Sequence, residues 1–338
     1  MDAAERAARD RLGELIDGHI VTQIVSTAVR LGLPDLLGEE ARTAAELAVK
    51  ANADHSGMAR LMKALAVLGL ARESGDGTYQ ATPLSRGLRT GGESSLHGDA
   101  VMSGTCLYEA WGGLEFSVRT GSPAFENVHG QGLWEYLDAQ PEDAAHFART
   151  MGSSSGYYLS DILEVHDFSA ARLLVDLGAG DGELVAQVLV RNPRLRAIAV
   201  DLPAMAVHTR RTLESRGVSD RCEVRAESFF DAVPPGADLY VLKAVLHNWD
   251  DEQAAAILRN CRAASAPDGR LLVIERVAED TGGTLRSVVN DLAMLVLLGG
   301  RERTLREYDS LLGRAGYART SHGTGAHGIT VIEAAPVP

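Results

Sequence analysis

Apolar residues in the first hundred positions recur at helical spacing. Between residues 12 and 31 they fall three and four positions apart, which predicts an amphipathic helix ending at Gly32. The pattern Thr43-Ala-Ala-Glu46 is a capping box that predicts the start of a short helix. Asp76-Gly77, between two short extended runs, predicts a hairpin. Together these patterns predict a helical, winged-helix-like domain over residues 1–100.

From residue 171 onward, short apolar runs alternate with helical patterns, which predicts an α/β fold with a parallel, doubly wound sheet over residues 166–338. Its seven strands are expected at Arg172–Leu177, Arg196–Asp201, Cys222–Ala226, Asp238–Lys243, Arg270–Glu275, Ala318–Ser321 and Gly328–Glu333. No helical pattern separates the last two strands, so we expect an antiparallel hairpin at the sheet edge.

Residues 101–165 form a helical linker between these domains, and large aromatic and methionine side chains are concentrated there. Aromatic residues are only 5% of the whole chain, so the enrichment is local. Core packing accounts for most of them, and the remainder would line an apolar pocket for an aromatic substrate.

Composition narrows the functional classes. The 338 residues carry a net charge of −13 and three scattered cysteines. The charge disfavours nucleic-acid and membrane binding, and the winged-helix pattern adds only Arg60 and Lys63 to a recognition helix. Zinc-binding or disulfide spacings are missing, so we expect no metal. The first residues lack the apolar stretch of a secretory signal, and a cytoplasmic protein is expected.

The strongest local motif follows the first strand of the predicted sheet. Gly178, Gly180 and Gly182 lead into a helix, which permits positive φ and a close approach of the backbone to a ligand. The dinucleotide fingerprint would place its third glycine at Glu183, so the match to it is incomplete. Asp201 ends the second strand at the same edge, where its carboxylate can accept both hydroxyls of a ribose. The expected cofactor therefore has a ribose and need not have a pyrophosphate.

The glycine motif with its strand-end acid resembles the S-adenosylmethionine-dependent methyltransferases. Blocks at 238–252, 299–304 and 126–136 narrow the resemblance to small-molecule O-methyltransferases of the plant caffeate type and of bacterial natural-product pathways. The resemblance covers nearly the whole chain. It implies a Rossmann-like methyltransferase sheet, an N-terminal domain that forms a homodimer, and S-adenosyl-L-methionine as cofactor, with S-adenosyl-L-homocysteine as product.

The resemblance also implies roles for individual residues. The residues implied to bind the cofactor are Asp176, Gly178, Gly180, Gly182, Asp201, Leu202, Ser228, Phe229, Lys243 and Trp249. Ser228 stands where the family usually has aspartate, which leaves the adenine contact open.

His247 follows the fourth strand and is the expected general base. A phenol with a pKa near 10 is mostly protonated at neutral pH, and a histidine with a pKa near 6.5 can accept its proton. Glu275 and Glu302 match the acidic residues that flank this histidine in the family, and either is a candidate to orient it. Asn248 replaces the aspartate that often follows the histidine.

The substrate is expected to be an aromatic small molecule, such as a bacterial secondary metabolite. The candidate substrate-binding residues are Met102, Trp134, Phe147, Met151, Asn290 and Asp291. An alternative keeps the fold and cofactor but diverts the chemistry to hydroxylation, decarboxylation or a pericyclic step. His247 favours methyl transfer over that alternative, and a winged-helix regulator with a degenerate cofactor domain is disfavoured by the intact glycine motif.

Overall fold

The computed structural model describes residues 2–38, 40–92, 95–279 and 282–337, and of residues 152–157 it describes the backbone alone. The chain divides into two compact units, Met1–Tyr108 and Glu109–Pro338.

The first unit is built from helices around a small antiparallel sheet in the order β1-β3-β2. Its elements are α1 (Ala3–Arg30), α2 (Leu33–Leu36), β1 (Arg42–Thr43), α3 (Ala44–Lys50), α4 (His55–Val67), β2 (Ala71–Glu73), β3 (Thr78–Ala81), α5 (Pro83–Arg86) and α6 (His97–Ser103). Buried side chains of α2, α3 and α4 form its core, with Leu33, Leu47 and Met62 at 0% exposure.

Local signals predicted in this unit are confirmed. Thr43 caps α3 through its hydroxyl, which accepts the N–H of Glu46 at 3.2 Å, and the Glu46 carboxylate accepts the N–H of Thr43 at 2.7 Å. Gly77 adopts φ +77° in the turn between β2 and β3, which gives the predicted hairpin. The amphipathic helix is longer than expected, since α1 begins at Ala3.

The middle of α1 presents an apolar stripe that the first unit leaves uncovered. Leu15 and Ile16 are each 62% exposed, and Leu12 and Ile20 are 56% and 46% exposed. Side chains at positions 12, 15, 16 and 20 lie on one face of a helix. We refer to these four residues as the α1 stripe.

Helices continue through the aromatic-rich segment and into the second unit. They are α7 (Cys106–Gly112), α8 (Leu114–Thr120), α9 (Ala124–His129), α10 (Leu133–Ala139) and α11 (Pro141–Val165).

Within the described residues, the second unit contains a seven-stranded sheet in the order β6-β5-β4-β7-β8-β10-β9. The strands are β4 (Leu173–Leu177), β5 (Arg196–Asp201), β6 (Cys222–Ala226), β7 (Leu239–Lys243), β8 (Arg270–Glu275), β9 (Tyr317–Thr324) and β10 (Thr330–Pro336). The strands from β4 to β8 pair in parallel, whereas β10 is antiparallel to both β8 and β9. The predicted doubly wound sheet with an antiparallel edge hairpin is confirmed.

Helices cover the sheet on both faces, and alternate residues of one strand therefore enter different cores. The helices along this part of the chain are α12 (Glu183–Arg191), α13 (Pro203–Ser215), α14 (Asp251–Ala264), α15 (Leu285–Leu297) and α16 (Leu305–Arg314), with short 3₁₀ turns at Phe168–Ala170, Ser219–Arg221 and Leu246–Asn248. Of these helices, α15 packs against α8 and α9. Val175 and Leu177 pack into one core and Leu174 into the other. Burial on both faces explains why these strands are continuous apolar runs.

The strand order determines where the chemical groups meet. Strands β5, β4, β7 and β8 are neighbours, so their carboxyl ends form one edge. That edge carries Asp201, the glycine turn, Lys243 and Glu275.

Among the described residues, no helix is both long and apolar enough to cross a bilayer.

Candidate active site at the carboxyl edge of the sheet

The turn after β4 needs glycine for two separate reasons. Gly178, Gly180 and Gly182 have φ of +73°, +61° and +79°, a region that other residues rarely adopt. A Cβ on Gly178 would lie 2.6 Å from a methyl group of Val245, and one on Gly182 would lie 2.8 Å from a methyl group of Thr209. A Cβ on Gly180 would meet nothing within 4 Å, so the turn faces open space there.

Asp201 supports this turn as well as facing it. Its Oδ2 accepts the N–H of Gly180 at 2.6 Å and its Oδ1 accepts the N–H of Leu202 at 2.7 Å. Burial raises the pKa of Asp201 to about 6, against these two bonds, which lower it. A carboxylate has about four acceptor sites, so both oxygens retain capacity for a ligand's hydroxyl groups.

Asp176 is a buried carboxyl at the end of β4, and neither of its oxygens has a hydrogen-bond partner among the described residues. Burial raises its pKa to about 7, whereas the positive charge of Lys243 lowers it. Lys243 likewise lowers the pKa values of Asp181 and Asp201. This cluster of carboxyl groups suits a ligand with a cationic group and hydroxyls.

An aromatic wall stands next to the glycine turn. The ring of Trp249 meets Phe230 edge to face at 4.7 Å and Phe229 at 6.2 Å. A Cβ on Gly178 would lie 3.8 Å from the Phe229 ring, which places the wall beside the turn. The Trp249 indole nitrogen is buried and has no partner in the described part of the chain. The hydroxyl oxygen of Ser228 accepts the N–H of Phe230 at 3.2 Å, which holds this side chain at the same wall.

Glu275 holds the backbone of the turn that carries His247. Its Oε1 accepts the N–H groups of Val245, Leu246 and His247 at 3.1, 2.8 and 3.4 Å. These bonds satisfy the free donors at the start of the 3₁₀ turn, and Glu275 is only 1% exposed. Its other oxygen lies 3.6 Å from the His247 ring.

Glu302 makes the closer contact with the His247 ring. Its Oε1 lies 3.1 Å from Nδ1, and the His247 side chain is 17% exposed. Burial lowers the pKa of His247, but the charges of Glu275 and Glu302 outweigh burial and raise it to about 9. In this geometry Glu302 makes the closer contact with the His247 ring, whereas Glu275 binds the backbone of the turn that carries it. The sequence alone did not distinguish these two roles.

The segment carrying Glu302 packs closely against the same turn. A Cβ on Gly300 would lie 2.1 Å from the carbonyl oxygen of His247, so only glycine permits this approach. The N–H of Arg301 donates to that carbonyl at 2.9 Å. Asp291, a predicted substrate residue, instead accepts the N–H of Glu302 at 2.9 Å and supports this segment.

Sequence reasoning missed Arg303, which is 0% exposed. Its Nη1 donates to the carbonyl of Leu246 and its Nη2 to that of Trp249, both at 2.8 Å. The available signal was an arginine next to Glu302, but surface arginines are common and the pattern alone did not separate them. Asn248 donates to the carbonyl of Ala244 at 3.2 Å, a local bond.

The remaining candidates for the substrate side divide between the two units. Trp134 of α10 and Phe147 of α11 pack edge to face at 5.6 Å, and Met151 lies one helical turn beyond Phe147. Met102 is 1% exposed within α6 of the first unit. Asn290 is half-buried on α15.

The chemistry of these groups fits S-adenosylmethionine. The unpartnered carboxyl of Asp176 suits its ammonium group, the free acceptor sites of Asp201 suit its ribose, and the Trp249 wall suits its adenine. Over the same described ranges, no cluster of three or more His, Cys, Asp or Glu side chains is arranged to hold a metal ion.

Comparisons with known proteins agree with this assignment. An O-methyltransferase dimerisation domain matches residues 13–91, and an O-methyltransferase domain matches residues 111–318. The O-demethylpuromycin-O-methyltransferase of Streptomyces alboniger is 40% identical over 342 residues, covering 99% of this chain and 91% of that protein.

Solved structures are similar over the same extent. The mitomycin 7-O-methyltransferase MmcR has a TM-score of 0.95 at 34% identity, covering 99% of both chains. NcsB1, an O-methyltransferase from neocarzinostatin biosynthesis solved with S-adenosylmethionine and 2-hydroxy-5-methyl naphthoic acid, has a TM-score of 0.84 at 33% identity, covering 94% of this chain and 96% of that one. The chain therefore belongs to the family of S-adenosylmethionine-dependent O-methyltransferases that carry a dimerisation domain.

Proposed function

We propose that the enzyme methylates a phenolic hydroxyl of an aromatic small molecule, a bacterial secondary metabolite, and that His247 is the general base. The observation that carries the proposal is the 3.1 Å contact between His247 Nδ1 and Glu302, on a turn beside the glycine motif. Two relatives support an aromatic acceptor: one is named for O-demethylpuromycin, and NcsB1 was solved with 2-hydroxy-5-methyl naphthoic acid.

The cofactor residues are proposed as a set. Gly178, Gly180, Gly182, Asp201 and Leu202 would face the methionine and ribose parts. Asp176 and Lys243 would set the charge around the ammonium and carboxylate groups, and Ser228, Phe229 and Trp249 would contact the adenine.

The proposed chemistry depends on how His247 holds its protons. S-adenosylmethionine, when bound, supplies an activated methyl group with its own leaving group. A proton on Nδ1 donated to Glu302 leaves the lone pair of Nε2 to accept the proton of the acceptor hydroxyl. The pKa of His247 is about 9, which is close to the pKa of a phenol, near 10. At pH 7 only about one His247 ring in a hundred is then neutral, so the rate should rise with pH up to about 9.

An apolar pocket is proposed for the acceptor ring. Trp134, Phe147 and Met151 would contact its faces, and Asn290 remains a candidate for the same pocket. Met102, which lies in the first unit, stays a candidate from the sequence alone. Asp291 is engaged by the backbone of Glu302, so its contribution would be to position Glu302.

Replacing His247 with alanine tests the base. We expect kcat for a phenol of ordinary acidity to fall by about 10²–10⁴-fold, with affinity for S-adenosylhomocysteine nearly unchanged. Methylation of that phenol at the wild-type rate would refute the assignment. An acceptor that is already ionised should be much less affected, because it has no proton to lose.

The same experiment separates the alternative, in which the cofactor serves hydroxylation, decarboxylation or a pericyclic step. Such chemistry leaves S-adenosylmethionine unconsumed. Formation of S-adenosylhomocysteine in proportion to product supports methyl transfer, and product without it supports the alternative.

We also propose that the enzyme is a homodimer formed through the dimerisation domain, with the α1 stripe in the interface. A stripe of large apolar side chains on a helix is costly to leave in water, and it lies partly within the region matched by that domain. The cytoplasmic location stays a prediction from the sequence.

A further inference from the structure

A fully buried guanidinium lies behind the 3₁₀ turn that carries His247. Arg303 is 0% exposed, and each of its three nitrogens donates a hydrogen bond. Nη1 reaches the carbonyl of Leu246 and Nη2 that of Trp249, both at 2.8 Å. Nε and Nη2 also reach Oδ1 of Asp251, at 3.0 and 2.8 Å. A buried charge is tolerated only where it is paired and hydrogen-bonded in this way.

The two carbonyl groups that Arg303 binds lie on either side of His247 in the sequence. The carbonyl of Leu246 lies immediately before His247, and that of Trp249 lies two residues after it. One rigid, planar group therefore holds both ends of the turn, which a flexible ammonium with a single nitrogen cannot reproduce. Glu275 holds the N–H groups of the same turn, and Arg303 restrains its carbonyl side together with the backbone N–H of Arg301.

Arg303 and Glu302 are also adjacent in sequence. The hydrogen bonds of Arg303 therefore join the turn that carries His247 to the segment that carries Glu302. One of them also holds the carbonyl of Trp249, whose ring forms the aromatic wall with Phe230. A single side chain thus connects the proposed base to the proposed cofactor wall.

We infer that Arg303 is a positioning residue that places His247 for proton transfer and Trp249 for cofactor binding at the same time. This inference rests on the proposed function for the role of His247, but the contacts that carry it do not.

Arg301 offers a matched control two residues away. It is also an arginine that pairs with Asp251, at 3.4 Å, and with Glu307, at 3.0 Å, but its side chain is 46% exposed. Exposed pairs of this kind contribute little. Its side chain makes no contact with the carbonyls of the turn in the described structure.

The experiment compares Arg303→Lys with Arg301→Lys in the full-length protein. Titration of the His247 ring is followed by NMR, with the signal assigned by its loss in His247→Gln. Affinity for S-adenosylhomocysteine is measured by calorimetry. Both readouts are independent of turnover, so failure of the proposed methyl transfer would be recognised separately, by activity assays.

In Arg303→Lys we expect the titration midpoint of His247 to fall by about one pH unit, because its contact with Glu302 loosens. The charged groups that act on this ring are Glu275, Glu302 and Lys243, and only the geometry of Glu302 depends directly on the segment at 303. Affinity for S-adenosylhomocysteine should fall by about three- to tenfold, as expected for a lost hydrogen bond. Arg301→Lys should change neither quantity.

A folded Arg303→Lys protein with unchanged midpoint and affinity would overturn the inference, and so would equal effects in Arg301→Lys. If Arg303→Lys does not fold, Asp251→Asn replaces it, because the amide oxygen can still accept from the buried guanidinium while the charge that holds it is removed, and Asp251 is itself 46% exposed. Smaller changes in the same two directions are expected there, and wild-type values for both would equally overturn the inference.

Discussion

Replacing Glu302 with glutamine tests how the site controls the pKa of the proposed base, His247. Glutamine keeps the length of the side chain and an oxygen that can accept from Nδ1 of His247, but it removes the negative charge. The pKa of His247 stands at about 9 instead of 6.5, a difference worth roughly 3 kcal/mol in favour of the protonated ring. Glu275 and Glu302 share that effect against burial, so loss of one should lower the pKa by about 1–2 units.

The sign of this change predicts two opposite effects on rate. A lower pKa leaves more His247 in the neutral, basic form at pH 7, which shifts the rising limb of kcat to lower pH. The neutral ring is then also a weaker base, so the plateau reached at high pH should fall. The Glu302→Gln protein should therefore be most impaired above about pH 9 and least impaired near pH 7.

The assay measures S-adenosylhomocysteine formation between about pH 6 and 10, at saturating cofactor and with a hydroxylated aromatic acceptor that the wild type methylates. Ionisation of the acceptor contributes equally to both proteins, so the difference between their profiles reports His247. Glu307→Gln is the matched control, because Glu307 caps α16 and glutamine preserves a capping box. The reasoning would be refuted by an active Glu302→Gln enzyme whose kcat rises over the same pH range as that of the wild type. An equal shift of the pH profile in Glu307→Gln would refute it as well.

Other outcomes follow from the same contacts. Because the folded pKa of His247 is raised to about 9, the stability it contributes is complete below pH 6.5 and is lost as pH rises to about 9. The excess free energy of unfolding of wild type over His247→Gln, from denaturant melts, should thus shrink by roughly 3 kcal/mol between about pH 5.5 and 9.5. Asp201→Asn places an amide N–H against one of the backbone N–H groups that the carboxylate accepts, and it should weaken S-adenosylmethionine binding by about 1.5–3 kcal/mol. Unchanged affinity by calorimetry would contradict the assignment of Asp201 to the ribose. Leu15→Asp combined with Ile16→Asp should convert the dimer to a monomer in light scattering, whereas Val49→Asp, at a site 83% exposed on α3, should not. A double variant that stays dimeric would exclude the α1 stripe from the interface.

Much of the fold was accessible from the sequence because its signals are local. Strands β5 and β8 begin and end where their apolar runs predicted, since a strand buried on both faces has little polar alternation to blur its ends. Strand β6 also has its predicted bounds, although it is a partly exposed edge strand in which Glu223 and Arg225 alternate with less polar residues. The glycine motif and the acid that ends β5 are likewise local in sequence. The parallel order of the strands then places them at one edge.

Only the tertiary structure shows which distant residues contact the His247 ring and which contact the backbone of its turn. Glu275 and Glu302 both match acidic positions of the family, but only the three-dimensional path of the chain shows that one holds the backbone and the other the ring. From the sequence, Arg303 looked like an ordinary charged residue and Asp291 like a substrate-binding one. A hydrogen bond between segments more than ten residues apart leaves no periodic signal in the sequence. The raised pKa of His247 has the same origin, since it depends on burial and on the distance to two carboxylates, which exist only after folding.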